Sequence, residues 1–320
     1  MHELTNTNYK MFTQLASLDQ ETLRRIMSKY LKEKYNDLKF TKEYILAKGN
    51  IPIALVAHLD TVFKFPPEEF FYDRKKNVIW SPDGLGADDR AGVFAIIQIL
   101  KTGLRPHIIL TTDEESGALG ASAVIRDYPQ AFAEMKYLIE LDRRGTNDCV
   151  FYDCDNEEFS NYIESFGFTQ NYGSFSDISV LCPAWGIAGV NLSIGYKDEH
   201  SYQERLYVSA MLATIDKVCK MLREVPKDSF KYIPMFYLSD KLYDFWGSPI
   251  ETKCEKCNCV ISSYEAIPVI TDIDKFDVYC GDCIVDKNIS WCDGCGEAFK
   301  IAEGKNNLLC PRCMGRKEAL

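Results

Sequence analysis

The sequence has no surplus of positive charge, no long apolar run and little histidine. Its 37 Lys and Arg stand against 47 Asp and Glu, a net charge of −10, which disfavours generic attraction to nucleic acid or to an anionic membrane. The longest apolar stretches, over 51–56 and 91–100, are too short or too interrupted to span a bilayer. The opening Met1-His2-Glu3-Leu4-Thr5 lacks the cationic segment and apolar core of an export signal. A reduced, cytoplasmic protein is therefore expected, its cysteines read as thiols or metal ligands and not as disulfides. Apolar residues at 46% and charged residues at 26% exclude a disordered, collagen-like or coiled-coil chain. A length of 320 residues makes two domains the expectation. Against only four histidines stand 13 cysteines.

The cysteines divide the chain. Positions 1 to 253 hold Cys149, Cys154, Cys182 and Cys219, and positions 254 to 313 hold the other nine. Three segments are expected: a first domain over 1–225, an aromatic-rich connector over 226–250, and a cysteine-rich domain over 251–320. The connector carries Phe236, Tyr237, Tyr243, Phe245 and Trp246, which favours docking over the flexibility of a Gly/Ser-rich linker. In the first domain, Leu23, Ile26, Met27, Tyr30 and Leu31 recur at helical spacing within 18–35. Strand-like runs cover 39–46, 51–57, 107–111, 137–141 and 187–193, and helix-like runs cover 89–101 and 205–222. Such alternation predicts an α/β fold, a three-layer αβα sandwich around a largely parallel mixed sheet.

The residues just beyond each buried strand carry the chemistry. The run Ala54 to Ala57 leads into His58-Leu59-Asp60-Thr61-Val62, and Ile108 to Thr112 into Asp113-Glu114-Glu115-Ser116-Gly117. Tyr137 to Ile139 lead into Glu140-Leu141-Asp142, and Val190 to Gly195 into Tyr196-Lys197-Asp198-Glu199-His200. A fifth stretch, Gly84 to Gly92, places Asp88 and Asp89 at a helix start. Ligands of α/β sheets bind outside the carboxyl ends of strands. Histidine joined by several carboxylates, with no cysteine among them, is the ligand set of a catalytic divalent-metal site. Carboxylates so gathered repel one another unless cations neutralise them. His58 and His200 lie in such contexts; His2 and His107 do not.

The strings HLDTV, GLGADDRAG, TTDEESGALG, ELDRRG and EHS resemble, in order and spacing from about 50 to 222, the co-catalytic di-zinc exopeptidases, the clan of peptidase T, the glutamate carboxypeptidases and the zinc aminopeptidases. The resemblance implies that His58 and Asp142 bind one zinc, Glu115 and His200 the other, and that Asp88 bridges them. It implies Glu114 as general base, Asp60 as the group orienting His58, and a cis Asp88–Asp89 peptide. Many dipeptidases and carboxypeptidases of the clan insert a lid between the last two ligand positions. The 57 residues from 143 to 199 leave no room for one, so the chain is more similar to the lidless aminopeptidases.

Two divalent metals, zinc first and cobalt or manganese as alternatives, suit hydrolysis of an amide bond. An aminopeptidase or small-peptide exopeptidase is expected, acting on peptides. A deacylase acting on N-acyl amino acids is the chemical alternative, since the same metal pair serves both. A non-catalytic adaptor working through its tail is the alternative from another class; an intact Glu114 speaks against it. Arg143-Arg144 could bind a substrate carboxylate, although a surface pair is the commoner meaning of such a doublet.

In the tail, Cys254/Cys257, Cys280/Cys283, Cys292/Cys295 and Cys310/Cys313 form four CxxC pairs, with 22, 8 and 14 residues between them. Four such pairs read as two structural zinc sites of four thiolates each. Consecutive pairing resembles zinc ribbons, and a cross-braced pairing is the alternative; Cys259 reads as a bystander. Residues 251–320 hold 9 Lys and Arg against 12 Asp and Glu, so a protein partner is expected of the tail before a nucleic acid.

Overall fold

The computed structural model describes residues 4–132, 134–234, 252–261, 266–272, 275–285, 288–292, 298–301, 309–311 and 313–314. The chain divides into two compact units, Met1–Pro234 and Met235–Leu320.

The first unit begins with α1 (Asn6–Ala16) and α2 (Gln20–Lys32). Thr5 and Asp19 cap them, each side chain accepting a backbone N–H of the first turn that has no partner within the helix. Leu23, Met27 and Leu31 are buried on α2, whereas Ile26 stays 45% exposed. The single strand expected over 39–46 is two, β1 (Asp37–Phe40) and β2 (Tyr44–Lys48). Between them the Thr41 hydroxyl accepts the N–H groups of Glu43 and Tyr44, a local turn that hydrophobic periodicity does not register.

Next come β3 (Ile51–His58), β4 (Phe71–Asp73), β5 (Val78–Trp80), α3 (Ala87–Lys101), β6 (Pro106–Thr111), α4 (Leu119–Asp127) and β7 (Tyr137–Arg143). The unit continues with β8 (Asp148–Val150), α5 (Glu157–Glu164), β9 (Thr169–Gln170), α6 (Asp177–Trp185), β10 (Gly189–Ser193), β11 (Tyr196–Lys197), β12 (Arg205–Tyr207) and α7 (Val208–Arg223). Eight strands form one sheet in the order β1-β2-β6-β3-β7-β10-β8-β9. Its centre, β6-β3-β7-β10, is parallel, and β1–β2, β2–β6 and β8–β10 are antiparallel. The expected α/β class is the one observed.

Parallel strands need crossover connections, and the crossover helices cover both sheet faces. One buried cluster joins Phe12, Leu23, Phe94, Phe159 and Met211 from α1, α2, α3, α5 and α7. Another joins Ala121 and Val124 of α4 to Ile178 and Leu181 of α6. The helix expected from 205 starts at Val208, because residues 205–207 pair as β12 with β5 in a second sheet of order β11-β12-β5-β4. Beyond α7 the chain returns to this unit. Phe230 is buried against Tyr137, Phe159 and Tyr162, and Ala188 donates to its carbonyl. The connector aromatics from Phe236 to Trp246 lie outside the described residues. Among the described residues no helix is long and apolar enough to cross a membrane.

The second unit contains β13 (Thr252–Lys253), β14 (Val260–Ile261), β15 (Ile267–Asp272), β16 (Lys275–Tyr279), β17 (Ile289–Trp291) and β18 (Ala298–Lys300). β13 and β14 pair with each other, and the rest form a sheet of order β16-β15-β18-β17. Among its described residues, buried Cys254, Cys292 and Cys310 belong to the apolar clusters.

Candidate active site

The parallel strands of the first unit end on one side, and their ends carry the polar residues singled out in the sequence. His58 is the last residue of β3, Asp142 lies near the end of β7, and Glu114 and Glu115 come just after β6. Asp88 opens α3, where the Asp88–Asp89 peptide is cis, as the resemblance implies. His200 sits in the loop between β11 and β12. The turn after β6 is fixed from two sides. Asp113 takes a left-handed φ of 56°, which a short polar side chain tolerates, and Gln20 clamps it through both its N–H and its carboxylate. Asp60 holds the next two residues, its two oxygens accepting the N–H groups of Glu114 and Glu115 at 3.1 Å each.

Asp88 stands between the two imidazoles. One carboxylate oxygen is 2.9 Å from His58 Nε2, and the other is 3.1 Å from His200 Nε2. His58 Nε2 also lies 3.4 Å from Asp142, and His200 Nε2 lies 2.9 Å from Glu115. The far nitrogen of His58, Nδ1, meets Asp60 at 3.2 Å. Two groups of possible ligands therefore share Asp88: His58, Asp88 and Asp142, and Asp88, Glu115 and His200, with donor atoms in each group within 4.8 Å of one another. Proximity also groups Glu114 and Glu115 with His58. Glu115 meets His200, however, while Glu114 makes no comparable imidazole contact among the described residues.

The electrostatics are those of a largely buried cluster of carboxylates and imidazoles. Burial, and after it the charge of Asp88, pushes Asp142 well above the usual carboxylate range. Burial would raise Asp88 too, but the hydrogen bonds from His200 and His58 bring it below its usual value. Burial alone would lower His58, yet Asp142, Asp60 and Asp88 raise it well above its ordinary value. His200 is pushed up to about 9, chiefly by its bond to Asp88. Burial pushes Glu114 up to about 7. Oxygen and imidazole donors around such a centre fit divalent cations of the zinc, manganese or cobalt type.

Other residues hold this cluster in ways the sequence did not announce. Asn191 on β10 accepts the Asp142 N–H and donates to its carbonyl, and the Tyr196 hydroxyl lies 3.0 Å from the Asp142 carboxylate. The buried Glu204 carboxylate accepts the Asp88 N–H at 3.0 Å. Buried Arg90 donates to the carbonyls of Leu59, Asp60 and Leu18, pinning the segment after β3. Behind Asp142, Glu140 accepts a hydrogen bond from Ser176, and Asp177 accepts one from Thr111. His107 stands apart from all of this, buried, with Nδ1 accepting the Gly49 N–H.

The cluster forms the floor of a cavity of about 600 Å³. Arg143, Arg144, Tyr152 and residues 172–175 make part of its walls.

In the second unit, Cys254, Cys257, Cys280 and Cys283 come together with their sulfurs within 4.8 Å of one another, and so do Cys292, Cys310 and Cys313. Cys295 lies outside the described residues. The Cys259 sulfur is 3.2 Å from that of Cys257.

Residues 45–178, less than half of the chain, match the family model of peptidase family M28. The match contains His58, Asp60, Asp88, Glu114, Glu115 and Asp142, and His200 lies beyond it. No curated protein matches. Among solved structures, the chain is similar to aminopeptidase PepT from Bacillus cereus at 15% identity and TM-score 0.53, over 68% of this chain and 97% of that one. A tripeptidase from Staphylococcus aureus gives 14% and 0.54, over 68% and 97%. A TET aminopeptidase from a marine sediment archaeon of the Thaumarchaeota gives 14% and 0.53, over 69% and 98%. At these identities the likeness is one of fold: the chain shares its α/β architecture with aminopeptidases.

Proposed function

We propose that the first unit hydrolyses peptide bonds at chain ends, as an aminopeptidase or small-peptide exopeptidase, with two divalent metal ions. His58 and Asp142 would hold one ion, Glu115 and His200 the other, and Asp88 both. The observation that carries this reading is Asp88, whose two oxygens lie 2.9 Å and 3.1 Å from two different imidazoles. Three carboxylates and two neutral imidazoles offer three negative charges, which one divalent ion leaves uncompensated and two overcompensate by one. When bound, such ions supply Lewis acidity toward a carbonyl and toward water.

The chain's own residues supply the remainder. Glu114 lines the cavity, and it takes the proton of the attacking water and passes it to the leaving amine. Asp60 orients the His58 ring and also holds the backbone of Glu114, so ligand and base keep one spacing. Asn191 and Tyr196 fix Asp142 in the same manner. In the second unit, two structural zinc ions would be held by Cys254, Cys257, Cys280 and Cys283, and by Cys292, Cys295, Cys310 and Cys313. A reducing cytosol is the compartment in which such thiols remain ligands.

Short peptides with free and with N-acetylated termini, offered to the metal-loaded protein, test the reading. Cleavage that requires the free amine is the expected result. Cleavage of the acylated series alone would make the protein a deacylase. Failure on both series would overturn the hydrolase reading and favour an adaptor acting through its tail.

A further inference from the structure

The cavity above the carboxylate–imidazole floor has two arginines in its lining that the proposed chemistry does not use. Arg143 and Arg144 come directly after Asp142, and among the described residues they are the only Arg or Lys lining this cavity. Arg143 donates through Nη2 to the Tyr172 carbonyl at 2.8 Å, and its Nε is buried with no hydrogen-bond partner among the described residues. A buried donor without an acceptor is unfavourable, and a guanidinium has five donors in a fixed fork. Arg144 Nη1 pairs with Glu199 at 2.8 Å, with the Arg144 side chain 59% exposed. A pair so exposed holds weakly and exchanges readily.

We propose that Arg143 and Arg144 form a carboxylate-binding subsite, which selects substrates bearing an anionic carboxylate close to the bond to be cleaved. The planar fork of arginine matches a carboxylate in two parallel hydrogen bonds. Both arginines line the same cavity as Asp88, Glu114 and Asp142, so a carboxylate held here belongs to the same short substrate as the reacting carbonyl. The cavity of about 600 Å³ is of the size that takes small ligands. Two sources supply this chemistry: the C-terminal carboxylate of a di- or tripeptide, and the side chain of an acidic residue. The subsite rests on the hydrolase reading only for its consequence in turnover; its binding can be measured without turnover.

The experiment titrates the metal-loaded Glu114→Gln protein calorimetrically with four peptides: Ala-Ala-Ala as free acid and as amide, and the amides of Glu-Ala-Ala and Gln-Ala-Ala. At least tenfold tighter binding of the free acid than of its amide assigns the C-terminal carboxylate. The same preference for the Glu over the Gln peptide assigns the side chain. Adding Arg143→Gln or Arg144→Gln should erase the preference with metal content and Tm unchanged, and Arg143→Lys should restore part of it. These variants separate the subsite from carboxylate binding at the metal ions. Equal affinity for all four peptides, or a preference that survives both glutamine variants, overturns the proposal. Cleavage by the wild-type chain with neither acid–amide nor Glu–Gln discrimination would sink the subsite and leave the hydrolase standing. Arginine-dependent discrimination without any cleavage would do the reverse.

Discussion

In the first unit, the elements that carry His58, Asp88 and Asp142 rest on a cluster of fifty buried apolar residues. In the second, the described clusters have seven and four members, and cysteines are counted in both. Burial stabilises by roughly 25 cal/mol per Å² of apolar surface, so the first unit has a scaffold whether or not its polar cluster holds a cation. Among the described residues of the second, the apolar clusters are small and include thiols. The comparison teaches that two sets of metal-ligand type in one chain can relate to folding in opposite ways. One set is attached to a large apolar core, and the other sits within small clusters that it helps to build.

The sharpest way to break the comparison is to remove the metal. A strong chelator should unfold the second unit, because structural zinc contributes about 10–16 kcal/mol to small thiolate domains at neutral pH. The first unit should keep its helical circular dichroism and cooperative melting. Limited proteolysis cutting both units equally fast after chelation would refute the contrast. Metal analysis of the untreated protein should give about four zinc per chain, two of them released readily.

Next in size is Glu114→Gln. Turnover should fall by about 10²–10⁴-fold, the usual worth of a positioned acid–base group, while metal content stays unchanged. Activity surviving this exchange would remove Glu114 from the role of base. Phe94→Ala deletes a fully buried ring in α3 that meets Phe12 edge-on, and such deletions cost about 3–5 kcal/mol. Chemical denaturation of the first unit should report that loss, while the reactivity of the tail thiols stays as before.

The smallest effect concerns His107, lowered to about 4 by burial and secondarily by Lys48. The unfolded chain binds this proton near pH 6.5 and the folded chain resists it. The group's contribution is therefore complete above about pH 6.5 and lost progressively toward pH 4, at most about 3 kcal/mol. Urea unfolding at pH 7 and pH 5 should show a smaller pH difference for His107→Gln than for the parent.

The parallel strands were legible because a strand buried on both faces reads as an unbroken apolar run, as in Ile108 to Leu110 and Tyr137 to Ile139. The short pieces β8, β9 and β12 have two or three residues each and leave no periodic trace. At the candidate site, the acids and histidines at strand ends were visible by position. Their supports were not. Asn191 reaches Asp142 only because β10 lies beside β7 in a register that sets Asn191 against Glu140. Glu204 reaches Asp88 across 116 positions. Spacing along a chain carries neither strand order nor register, and these partners depend on both.

The Asp60 carboxylate has a further consequence. It is shared by the His58 ring and by the turn that carries Glu114 and Glu115, so a shift in either is transmitted to the other. That coupling leaves little freedom for change on this side of the cavity. The cavity lining also includes exposed Tyr172 and Phe175, and none of the Asp60 hydrogen bonds named above involves them. Variation at these residues can therefore alter what enters the cavity while sparing the carboxylate–imidazole cluster.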